Sequence, residues 1–102
     1  MPALTKERIL AVLHDNKATL VGFGVVRLEL FGSHARGDQQ DDSDVDLLVE
    51  FAPGRGLFRD FTNLHIFLEE VFGRKVDLVK HHLVRREFRP AILDGPRHAA
   101  QL

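Results

Sequence analysis

The sequence predicts an α+β domain: a small mixed β-sheet with helices packed against it. Three observations predict it. Apolar residues Leu57, Phe61, Leu64, Leu68 and Val71 recur at steps of four and three before Gly73, the spacing of an amphipathic helix with a glycine stop. Two seven- to eight-residue extended runs, Val25 to Phe31 and Asp44 to Phe51, and a shorter one around Val76-Asp77-Leu78-Val79, have strand character. A chain of 102 residues, 44% of them hydrophobic and eight of them Phe, has apolar material for one core and too little length for two. Residues 1–102 are therefore expected to form a single domain.

Taken in order, Thr5 can cap a first helix whose apolar positions Ile9, Leu13, Leu20 and Phe23 fall at helical spacing, with Asn16 a polar interruption and Gly24 a stop. Residues 25–31 then alternate, placing Val26, Leu28 and Leu30 on one face and Arg27 and Glu29 on the other. Gly32-Ser33 ends that strand, His34-Ala35-Arg36 can make a helical turn, and residues 37–43 form a polar loop. A second strand runs from about Asp44 to Phe51 and a turn follows at Pro53-Gly54-Arg55-Gly56. The long helix spans Leu57 to Phe72; Phe58, Phe67 and Phe72 widen its apolar stripe, which suits an interface with another molecule or deeper burial in this one. Lys75 to Lys80 is a third strand. Beyond His81, residues Leu83, Phe88, Ile92 and Leu93 suit short docking helices, with Pro90 in a first turn.

Composition narrows the function classes. Fourteen Lys and Arg against fifteen Asp and Glu leave a net charge of -1, so no global positive field points to nucleic acid. The absence of Cys excludes disulfides, thiol nucleophiles and cysteine-bound zinc, and suits a reducing compartment. No apolar run approaches the ~18 residues of a membrane span, and residues 1–13 lack the pattern of a secretory leader, so a cytoplasmic protein is expected. The charges are unevenly spread, however. Asp38, Asp41, Asp42, Asp44, Asp46 and Glu50 crowd one segment, while Arg74, Lys75, Lys80, Arg85, Arg86 and Arg89 gather in the last third. Such a pair of clusters suits either a metal with an anionic ligand or two solvated patches.

Three features carry chemistry. Asp44 and Asp46, two residues apart on a strand, point to the same face, where two like charges lose hydration and repel unless a proton, a basic group or a divalent cation offsets them. Mg2+ suits such a pair because it takes hard oxygen ligands, commonly one or two carboxylates plus substrate phosphates. Asp77 interrupts an otherwise apolar strand, either as a third member of that group or as a partner of Arg74 or Lys75. Gly32-Ser33 follows a strand, where glycine permits close backbone approach and free N–H groups can hold phosphate oxygens. Taken alone, Asp44 and Asp46 are more often exposed acids at a strand edge and Gly32-Ser33 a common turn, while the two readings of Asp77 balance. Together they make a phosphoryl-transfer set. Competing motifs fail: Leu47 and Pro53 break a calcium loop begun at Asp42, no Gly-Lys-Ser/Thr is present, and the six His residues form no zinc pattern.

The string Phe31-Gly32-Ser33-His34-Ala35-Arg36-Gly37, then Asp44-Val45-Asp46-Leu47-Leu48-Val49, resembles the signature of the minimal nucleotidyltransferases, members of the DNA polymerase beta-like superfamily. Gly73-Arg74-Lys75-Val76-Asp77-Leu78-Val79 resembles a later strand of the same family, so the likeness spans most of the chain. His34 stands where Arg is frequent. The resemblance implies the polymerase beta-like nucleotidyltransferase fold and a transfer of AMP from ATP to a hydroxyl, supported by Mg2+, with two ions. Gly32 and Ser33 would hold the triphosphate, Asp44, Asp46 and Asp77 would bind metal, and Asp77 would also help activate the acceptor. Arg36 matches a position near the phosphates, although an ion pair with the acidic loop fits it equally. Family members this short are often antitoxins paired with a HEPN-domain toxin, some adding AMP to a tyrosine of it. Neutralisation by binding alone is the alternative. A small-molecule acceptor such as an aminoglycoside fits the chemistry but not the length.

Overall fold

The computed structural model describes residues 4–40, 42–81 and 98–101. Thr5 accepts the Arg8 N–H at 3.1 Å and opens α1 (Lys6–Asp15), as its side chain suggested. The single first helix divides in two. Asn16 leaves helical geometry at φ -106° and ψ 20°, its side-chain amide donates to the Val12 carbonyl at 2.8 Å, and α2 (Lys17–Gly22) restarts beyond it. Ile9, Leu13 and Leu20 still reach one core, because the break reorients the chain without removing its apolar face.

Next comes β1 (Val25–Phe31), where the expected alternation is corrected by an irregularity between Val25 and Arg27. With that bulge, Val25 rather than Val26 joins Leu28 and Leu30 in the core. Glu29 is buried on the opposite face, 3.0 Å from the Arg27 guanidinium. A short helix, α3 (Gly32–Arg36), realises the expected turn, and β2 (Val45–Phe51) begins one residue later than predicted, leaving Asp44 just before it.

The long amphipathic helix is α4 (Phe58–Phe72), stopped by Gly73 at φ +66°. Its inward stripe is Leu64, Leu68 and Phe72, with Phe61 and Phe67 partly buried; Val71 and the capping Leu57 face solvent instead. The crossover then delivers β3 (Val76–Lys80) parallel to β2, and a strand the sequence reading did not anticipate, β4 (His98–Gln101), pairs antiparallel with β1. The sheet order is β3-β2-β1-β4, with β1 and β2 antiparallel. Among the described residues, helices α1 to α4 and one sheet face enclose the core, leaving Asp46, Leu48 and Glu50 of β2 on the other face. The expected tail helices around Leu83, Phe88, Pro90, Ile92 and Leu93 lie outside the described residues.

Candidate active site

Gly32 adopts φ +74°, a conformation most side chains resist, and it is pressed against Asp46: a Cβ there would run into the carboxylate oxygen Oδ2. The end of β1 and the start of β2 are thus fitted to each other through a missing side chain. Ser33 follows, its carbonyl accepting the N–H groups of Gly37 at 2.9 Å and Asp38 at 3.1 Å, which holds the turn after α3.

Parallel pairing places Asp46 level with Asp77, so two carboxylates stand side by side on the sheet face opposite the core. The Val45 N–H donates to the Lys75 carbonyl at 3.1 Å and locks that register from the strand starts. Burial, then the Asp77 charge, then the Asp44 charge push the Asp46 carboxyl up to about 6, against a smaller opposing pull from Arg36. Asp44 and Asp77 are exposed. Sequence reasoning allowed Asp77 an ion pair with Arg74 or Lys75, and among the described residues neither is made.

This donor set suits a hard cation. The negative charge around Asp46 is incompletely offset, and all the candidate ligands are carboxylate oxygens. Among the described residues no three His, Asp or Glu side chains are gathered closely enough to hold a metal ion by themselves. A cation here would complete its shell with water and substrate oxygens, which is the habit of Mg2+. Asp44 and Asp77 are exposed at one end of the sheet face opposite the core, whereas Leu48 and Glu29 farther along it are buried. A cavity of about 350 Å³ lies at the far ends of β2 and β3 and includes Val49, Phe51, Arg55, Lys80 and His81.

Arg36 makes the loop ion pair that one reading gave it, with Nε 3.2 Å from Asp38 Oδ2, although its charge still acts on Asp46. His34 is 1% exposed, with both ring nitrogens buried. Burial and then the Arg74 charge hold its pKa below the ordinary histidine value, while the Asp44 backbone acts in the opposite sense. The Arg74 guanidinium reaches the Ser43 carbonyl at 3.4 Å, so His34 and Arg74 both back the segment that carries Asp44. Only the family pattern around Gly32-Ser33 could have drawn attention to His34. At the start of β3, His65 and Glu69 of α4 take the Val76 backbone, Nε2 lying 2.8 Å from its carbonyl and Oε2 accepting its N–H at 3.0 Å.

The model of the nucleotidyltransferase domain family matches residues 12–99, a span that includes every site residue above. The chain belongs to this family. Among nucleotidyltransferase relatives, it is 42% identical over 80 residues to the protein adenylyltransferase MntA of Thermococcus cleftensis, covering 78% of this chain and 80% of that protein. It is 40% identical over 75 residues to a Methanocaldococcus jannaschii protein provisionally named protein adenylyltransferase MJ0435, covering 74% and 80%. A solved structure provisionally assigned as a minimal nucleotidyltransferase superposes with a TM-score of 0.64 at 35% identity, covering 85% of this chain and 92% of that one. A second, from a toxin-antitoxin crystal structure with AMP-PNP, gives 0.55 at 27% identity, covering 80% and 61%. The expected family and the expected α+β nucleotidyltransferase architecture both hold.

Proposed function

We propose that the protein is an antitoxin that transfers AMP from ATP to a tyrosine hydroxyl of a HEPN-domain toxin. One observation carries the reading: Asp46 and Asp77 occupy paired positions on one sheet face, with Gly32 fitted against Asp46 from the neighbouring strand. Relatives named protein adenylyltransferases and the AMP-PNP-bearing toxin-antitoxin neighbour support the donor and the kind of acceptor.

In this mechanism Asp44, Asp46 and Asp77 would hold Mg2+, which would supply positive charge to offset the triphosphate. Gly32 lets the phosphates approach the backbone at the end of β1, and Ser33 adds a hydroxyl and an N–H. The exposed Asp77 carboxylate takes the proton of the acceptor hydroxyl as that oxygen attacks the α-phosphorus and pyrophosphate departs.

Intact-mass spectrometry of a co-encoded HEPN toxin, after incubation with this protein, ATP and Mg2+, tests the reading. The toxin should gain AMP units, and the gain should vanish with Asp44→Asn/Asp46→Asn. A stable complex with no mass gain would replace transfer by neutralisation through binding. That second reading is favoured by the apolar surface at Leu57 and Phe58, which are 74% and 85% exposed.

A further inference from the structure

Among the described strands β3 lies at the edge of the sheet, and its backbone groups alternate in direction. Lys75 turns its carbonyl to β2, where Val45 donates to it; Val76 turns both of its groups outward to Glu69 and His65. By the same alternation Asp77 and Val79 face β2, while Leu78 faces outward. Among the described residues nothing bonds the Leu78 N–H or carbonyl on that side. An unpaired edge of this kind accepts an extended segment of another chain.

Two further features of that edge define what fits it. A largely apolar groove of about 500 Å³ runs beside it, lined by Phe58, Phe61, Leu78, Val79 and Lys80. The Lys80 ammonium lies 5.5 Å above the Phe61 ring and has no carboxylate partner among the described residues. The groove suits a large apolar side chain, and the lone cation suits an acidic one.

Register adds the chemistry. In a strand added at ~4.8 Å from β3, the residue level with Asp77 must share its sheet face, which is the face of Asp46. We infer that a segment of the acceptor protein adds to the sheet along β3. It presents a hydroxyl side chain beside Asp77, an apolar side chain to the groove level with Leu78, and an acidic side chain level with Lys80. The inference rests on the protein-acceptor reading above. The hydroxyl oxygen bonds to the α-phosphorus of ATP, its proton passes to Asp77, the α–β phosphoanhydride bond breaks and pyrophosphate leaves. The segment reads Tyr-apolar-x-acidic if it adds parallel to β3, and the reverse if antiparallel. His65 and Glu69, by occupying Val76, stop the pairing one residue before Asp77.

The probe is a short synthetic peptide containing Tyr-Val-Thr-Glu, its reversed-order partner, and a version of each with Glu→Lys. Amide exchange at Leu78 is followed by NMR in the full chain, and peptide mass is followed with ATP and Mg2+. One peptide order should slow Leu78 exchange and gain AMP on its tyrosine. Phe58→Ser should weaken both effects, and Lys80→Glu should weaken both roughly fivefold, with recovery by the Lys peptide. Protection without a mass gain would uphold the docking edge and overturn the transfer reading. A mass gain indifferent to Phe58→Ser and Lys80→Glu would overturn the edge. So would a Leu78 amide already protected in the protein alone, or one unmoved at millimolar peptide.

Discussion

With the Asp46 carboxyl pushed up to about 6 and an unfolded carboxyl near ~4, the folded chain holds more protons than the unfolded chain between those values. A raised carboxylate lowers stability as pH rises through this window, and the loss is complete above it. Asp46→Asn should therefore stabilise the metal-free protein at pH 7.5 by about 1–2 kcal/mol, after discounting a half-exposed group for screening. It should also cut AMP transfer by about 10²-fold or more. Thermal unfolding from pH 4 to 8, with and without Mg2+, checks this: only the parent protein should gain stability from the ion at pH 7.5. Gly32→Ala tests the neighbouring contact. Its cost should be about 1–3 kcal/mol for a side chain at φ +74°, and transfer should fall further than stability because Asp46 is displaced. Asp44, Asp46 and Asp77 were legible in the sequence because carboxylates in or beside apolar strands need a reason to be there. His34 was not legible, because histidine in a short turn is unremarkable until a fold buries it.

Arg55, in the loop after β2, ties α2 to α4. Its guanidinium donates to both Asp60 oxygens at 2.8 and 3.0 Å and to the Gly22 carbonyl at 3.0 Å, while Asp60 also accepts the Gly56 N–H at 3.0 Å. The Arg55 and Gly56 hydrogen bonds hold the Asp60 carboxyl down at about 2. A depressed carboxylate contributes above its unfolded pKa, and that contribution is lost only as pH falls through about 2. Asp60→Ala should lower the unfolding temperature at pH 7, with the difference from the parent closing as pH approaches 2. Periodicity made α4, its glycine stop and the three main strands legible, but Leu57 and Val71, the end members of its expected apolar stripe, face solvent. Val71 and Phe72 are both apolar, and only the packing of Phe72 decides between them. Strand β4 was missed because His98-Ala99-Ala100-Gln101 has neither alternation nor β-branched residues, and the pairing of its residues with Leu30, Glu29, Leu28 and Arg27 defines it. Asn16 was noticed as an interruption, yet spacing alone could not distinguish a tolerated polar residue from a break.

For the whole molecule, a net charge of -1 carried no functional information, whereas the placement of charge carried nearly all of it. The proposed partner rests on family resemblance, since recognition requires a surface contributed by another chain. Transfer and binding separate in living cells. If transfer neutralises the toxin, Asp44→Asn/Asp46→Asn should still co-purify with it while growth arrest persists, and relief of arrest by this variant would establish binding as sufficient. The parallel pairing of β2 with β3 also dictates when the site comes into being. Asp46 and Asp77 can meet only after α4 has crossed between them. A nascent chain ending before β3 thus carries Gly32, Ser33, Asp44 and Asp46 without the facing charge of Asp77, and the proposed site is complete only once β3 has been made.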